Sequence, residues 1–157
     1  MSLSSPPKLI ASKISNFECA ADEISKGFRA RPHKGAPSPF ESSWGFFKRE
    51  SYHLIRKTKD SPGGHNIIKY IVRNHDIEPA RLNYRSNEFH WGLLAIDPDR
   101  DILDRRQITR FAQQMAYAEL HGVYADQLIG FLFQSGSTAS LSKKLRKNER
   151  EPWIIRG

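Results

Sequence analysis

The residues best suited to chemistry in this chain are a run of carboxylates and a scatter of imidazoles. Asp97, Asp99, Asp101 and Asp104 form the densest carboxylate group. Carboxylates at the end of a strand can hold Mg²⁺ or Ca²⁺ for phosphodiester hydrolysis. Asp-x-Asp-x-Asp also opens a calcium loop, but Ile102 stands where that loop needs glycine and Ile108 where it needs a bidentate Glu. An Asp-Pro turn followed by acidic residues in a first helical turn accounts for the same residues with no ion present. His33, His53, His65, His75, His90 and His121 lack the spacing of zinc ligands. A metal-independent ribonuclease needs only a His or Lys near a 2′-hydroxyl and a cationic site for the transition-state charge, so His53, His65 and His75 keep a small-nuclease reading open. Neither the phosphate-binding Gly-rich loop nor the Gly-x-Ser-x-Gly elbow is present, and no cofactor or metal is implied.

Charge is the stronger signal. The 157 residues hold 25 Lys and Arg against 17 Asp and Glu, a net charge of +8, which favours a polyanionic partner. The excess is segregated. Residues 1–75 hold 13 basic and 6 acidic side chains, residues 76–140 hold 6 and 9, and residues 141–157 hold 6 and 2. Solubility alone does not require such segregation. Within the first half, aromatic and β-branched residues on either side of Asp60-Ser61-Pro62-Gly63-Gly64 read as a β-hairpin with strands over 44–58 and 66–73. One register sets Arg56 opposite Lys69 and Tyr52 opposite Arg73; the neighbouring one sets Lys57 opposite Lys69 and His53 opposite Arg73. Like charges facing each other on a sheet disfavour it, and a bound phosphate backbone would offset that. The predicted phosphate contacts are Arg49, Arg56, Lys57, Lys69 and Arg73, with Tyr52 or Trp44 available to stack on unpaired bases.

The second basic region is C-terminal. A short apolar helix (127–134), a break at Ser135-Gly136-Ser137 and a basic helix over 140–150 resemble a helix-turn-helix, in which small polar residues reach base edges and Lys or Arg grip phosphates. Phe131 stands where close helix packing wants a small residue, and the glycine is displaced by one, so a plain basic terminal helix is the competing reading. Lys143, Lys144, Arg146 and Lys147 are the candidate contacts there.

The elements that position these groups follow from periodicity. Ile10, Ile14, Phe17, Ala21, Ile24 and Phe28 recur every three or four residues and predict an amphipathic helix over 6–27, with Ser5 as N-cap. Its acidic Glu18, Asp22 and Glu23 argue for docking on the rest of the fold rather than on a membrane. Residues 29–43, broken by Pro32, Gly35, Pro37 and Pro39, read as a loop or linker. A third strand over 88–97 precedes a helix over 104–121, which Asp101 or Asp104 can cap. Strands followed by helices indicate an α+β fold: an N-terminal helix, an antiparallel sheet of three or more strands and a helical C-terminal part. The length fits a single domain over 1–157, with 151–157 a flexible tail. One cysteine, Cys19, and no apolar run near the length of a membrane span fit a cytoplasmic protein. The expected function is non-catalytic nucleic-acid binding, DNA before RNA. The alternatives are a small nuclease, and an interaction subunit, dimeric or part of a larger nucleoprotein complex.

Overall fold

Ile14, Phe17, Ala21, Ile24 and Phe28 line one side of a 23-residue helix, α1 (Lys8–Ala30), and all five are buried. Burying each large member of that stripe is worth about 1.5–3 kcal/mol, enough to dock the helix. The computed structural model describes residues 8–31, 42–75, 87–135 and 144. The predicted N-cap Ser5, most of the 29–43 linker and the 151–157 tail lie outside them.

Among the described residues there is no strand, and 82% are helical. The α+β expectation is therefore overturned: the fold is all-helical. The segment 44–58 is α2 (Ser43–Asp60), 66–73 lies in α3 (Gly64–Asn74) and 88–97 is α4 (Glu88–Ile96). The physical reason is visible in what each helix buries. Along α2, Phe47, Ser51, Leu54, Ile55 and Thr58 are buried, a three-to-four-residue period that the aromatic and β-branched composition masked. In α3 the buried Ile67, Ile68, Ile71 and Val72 form one helical stripe. Every residue from Phe89 to Ile96 except His90 is buried, so α4 has no polar face from which a period could be read. It sits centrally, touching α1, α2, α3 and α5.

Helix ends are set by local chemistry. Ser42 accepts the N–H of Gly45 to cap α2, and Asn87 accepts the N–H groups of Phe89 and His90 to cap α4. The break at 60–64 joins two helices rather than two strands: Ser61, Pro62 and Gly63 connect α2 to α3, with Gly63 in the left-handed region at φ 71°. Asp104 and Gln107 close a reciprocal capping box on α5 (Arg105–Leu120), matching the predicted helix over 104–121. A single 3-10 turn (Ala125–Gln127) then leads into α6 (Leu128–Ser135). Close approach explains one glycine. A Cβ on Gly92 would lie 2.5 Å from Ile55 Cγ1, so α4 and α2 touch where no side chain fits.

Phe28, Trp44, Phe47 and Phe111 make an aromatic cluster joining α1, α2 and α5, with centroids 4.7–6.4 Å apart. Tyr52 is fully buried and stacks on Phe89 at 5.7 Å. Trp44 and Tyr52 are thus packing residues, not exposed platforms for bases.

Candidate functional site

Helix α2 carries most of the basic residues singled out in the first half, and a rotation of about 100° per residue divides them between two environments. Arg56 and Lys59 turn inward. Arg56 Nη1 donates to the carbonyl oxygen of Val123 at 2.7 Å and to Tyr52 Oη at 3.1 Å, while its Nε lies 3.6 Å from Glu119 Oε2. Lys59 Nζ bridges Glu88 Oε2 at 3.0 Å and Glu119 Oε2 at 2.9 Å. Burial pulls the Lys59 ammonium toward the neutral form, but its hydrogen bonds to Glu119 and Glu88 outweigh that and hold its pKa above the ordinary value. Burial likewise raises the Tyr52 pKa, against the opposing charge of Arg56. This network ties α2 to α4, to α5 and to the loop after α5. Arg56 is committed to it, and its guanidinium is not displayed to a phosphate.

Arg49, His53 and Lys57 follow one another at four-residue intervals and share the outer face of α2. His53 and Lys57 are exposed; Arg49 is half-buried, 3.6 Å from Glu50. On α3, His65, Lys69 and Arg73 repeat the four-residue spacing, with His65 and Arg73 exposed and Lys69 half-buried. The hairpin pairings Arg56–Lys69, Tyr52–Arg73, Lys57–Lys69 and His53–Arg73 do not exist as cross-strand pairs. In their place stand two basic helical faces joined by a three-residue turn.

Two of the three histidines of the nuclease reading stand at opposite ends of one helix. His65 opens α3 and His75 caps its other end, about 15 Å away along the axis. The carboxylate run has a structural account. Asp97 is 4% exposed, and its two oxygens accept the N–H groups of Asp101, Ile102 and Leu103 at 3.0, 3.0 and 2.8 Å. Asp104 is occupied as the α5 cap. No group of three or more His, Cys, Asp or Glu among the described residues could hold a metal ion. His90 is held below its usual pKa by burial, with Arg100 adding to the effect.

Of the C-terminal candidates, Lys143, Arg146 and Lys147 lie outside the described residues, as does most of the proposed recognition helix. Lys144 is helical, and its ammonium donates to the carbonyl oxygen of Ser135 at 3.3 Å. Two groups escaped the sequence reading. Arg105, Arg106 and Arg110 are exposed on α5, hidden by the acidic balance of residues 76–140. Lys48 is half-buried beside Phe111, and its pKa is pushed down to about 8 by burial and by the charge of Arg110. Trp44 and Tyr52, four residues to either side of it, were the available signal for it once 44–58 is taken as a helix.

The described residues thus form an all-helical protein whose second and third helices, joined by a three-residue turn, carry basic side chains on their outer faces. Comparison with protein-family models, with curated proteins and with solved structures found no match to this chain. No described helix is long and apolar enough to cross a membrane.

Proposed function

We propose that the chain binds nucleic acid without cleaving it, duplex DNA in preference to RNA, gripping phosphates through the outer faces of α2 and α3. One observation carries the reading. Two successive helices joined by Ser61-Pro62-Gly63 each present a basic stripe at four-residue spacing, Arg49–His53–Lys57 and His65–Lys69–Arg73. Helix–turn–helix units of this size place their second helix against a duplex, and α3 presents Asn66 beside its basic stripe, a side-chain type that reads base edges. The basic segment with Lys143, Lys144, Arg146 and Lys147 adds a second region of phosphate contact.

The test is fluorescence anisotropy of the full chain with labelled random duplex DNA, single-stranded DNA and RNA across a salt series. Duplex binding whose salt slope corresponds to about four or more phosphates is the expected result. An absence of binding to every probe at low salt overturns the proposal, and shortening of the RNA during incubation converts it to the nuclease alternative.

A further inference from the structure

A cavity of about 220 Å³ opens between the start of α2, α5 and α6. Its apolar walls are Trp44, Ile129, Leu132 and Phe133; Lys48 and Gln114 supply the polar part. Three features are unsatisfied without an occupant. Phe133 is 78% exposed, an unusual state for a large aromatic on the rim of a cavity. Gln114 Oε1 is buried and accepts no hydrogen bond, a cost that turning the side-chain amide toward a donor in the cavity would remove. Lys48 stands beside Arg110 with its ammonium 4.5 Å from the Phe111 ring centroid, and neither cation has an ion pair among the described residues.

We infer that this cavity docks an acidic peptide segment of a partner protein. An apolar anchor side chain enters against Trp44, Leu132 and Phe133, a neighbouring carboxylate pairs with Lys48, and an N–H of the segment donates to Gln114 Oε1 once that amide turns toward the cavity. Size and charge select this occupant. The volume is below the roughly 300 Å³ of an ordinary small-molecule site and suits one buried anchor, the arrangement found at interface hot spots. Lys48 on the cavity wall, with no ion pair among the described residues, calls for a carboxylate partner. The chain's own residues 141–157 carry six basic and two acidic side chains and are the wrong sign for it. Bringing a carboxylate to Lys48 also offsets the penalty of burying its charge beside Arg110. The inference is independent of the nucleic-acid reading, because Lys48 lies on the flank of α2 facing α5 and α6 rather than on the Arg49–His53–Lys57 face.

The experiment is NMR titration of the isotope-labelled full chain with a short synthetic peptide alternating glutamate with leucine and one tryptophan, and with its lysine-for-glutamate counterpart. The glutamate peptide is expected to shift the Gln114 side-chain amide and the Trp44 indole signals, with a Kd below about 1 mM. The lysine peptide should bind at least about tenfold more weakly. Lys48→Met should weaken the glutamate peptide about tenfold while leaving oligonucleotide affinity unchanged, and Phe133→Ser, at an exposed position, should weaken it with the fold retained. Equal response to both peptides, or none at the Gln114 and Trp44 signals, overturns the inference. So does a response of those signals to duplex DNA that Lys48→Met abolishes, which would make the occupant nucleic acid. Contacts from Phe133 to residues 136–157 in the free protein would assign the cavity to the chain's own C-terminal segment and overturn it as well.

Discussion

Lys57 and Lys59 are two residues apart on α2 and identical in type, yet one is exposed and the other is held between Glu88 and Glu119 with 11% of its side chain accessible. Arg56 and Arg73 make the same contrast. Arg56 donates to the Val123 carbonyl oxygen inside the fold, while Arg73 faces water from α3. The lesson is that a local density of positive charge contains two populations with different work. One population binds helices to each other through carboxylates from distant parts of the chain. The other lies on the outer faces of α2 and α3, and the proposed nucleic-acid contacts are drawn from it.

The contrast can be broken most strongly at Lys59. Lys59→Ala leaves Glu88 without its cation and Glu119 with Arg56 alone, and should lower unfolding stability by about 2 kcal/mol in urea titration, whereas Lys57→Ala should change it by less than about 0.5 kcal/mol. Equal losses would show that the division between inner and outer cations is not real. The acidic residues offer the same experiment. Asp97→Ala removes the acceptor of three backbone N–H groups and should lose about 2–3 kcal/mol, while Asp99→Ala, at an exposed position, should be nearly silent.

Lys48 sharpens the comparison from a third side, being poorly solvated and without an ion pair among the described residues. Its folded-state pKa of about 8 lies below the ordinary 10.5, so between those values the unfolded chain binds more protons than the folded one. Stability therefore rises as pH climbs from 8 toward 10.5, and the penalty of the buried charge is fully present below pH 8. Lys48→Met should remove that rise and add about 1 kcal/mol near pH 7, measured by denaturant unfolding at a series of pH values. An unaltered pH profile would mean that Lys48 is well solvated.

How much of this was legible in the sequence depended on whether each helix had both a wet and a dry side. The stripe from Ile10 to Phe28 and the capped pattern from Asp104 to Leu120 belong to helices with a full polar face, so their helical period is plain in the sequence, although the first helix runs on to Ala30 and Ile10 is only half-buried. Helices α2 and α3 have the period too, but Phe47, Tyr52, Ile67, Ile68, Ile71 and Val72 are residue types that favour strands, and composition outweighed spacing. Asp60-Ser61-Pro62-Gly63-Gly64 serves a helix–helix turn as well as a hairpin. In α4 there was no period to find, because it is surrounded; a short apolar run of that kind does not distinguish a buried strand from a buried helix. For the candidate site, the basic character of 49–73 was evident, as was the structural reading of the Asp-Pro turn. The fate of Arg56 was not, since Glu119 and Val123 lie more than sixty residues away and only the tertiary fold brings them to it.

The central claim is that the outer cations of α2 and α3, and not the inner ones, meet a polyanion. It is tested most directly by comparing the salt dependence of duplex DNA binding for the native chain and for a variant carrying Lys57→Ala, Lys69→Ala and Arg73→Ala, with urea unfolding as a control for the fold. Unchanged stability within about 1 kcal/mol and a log–log salt slope shallower by about 2–3, roughly 0.9 for each phosphate contact removed, are expected of the variant. Duplex binding that keeps its full slope in the folded variant would contradict that claim.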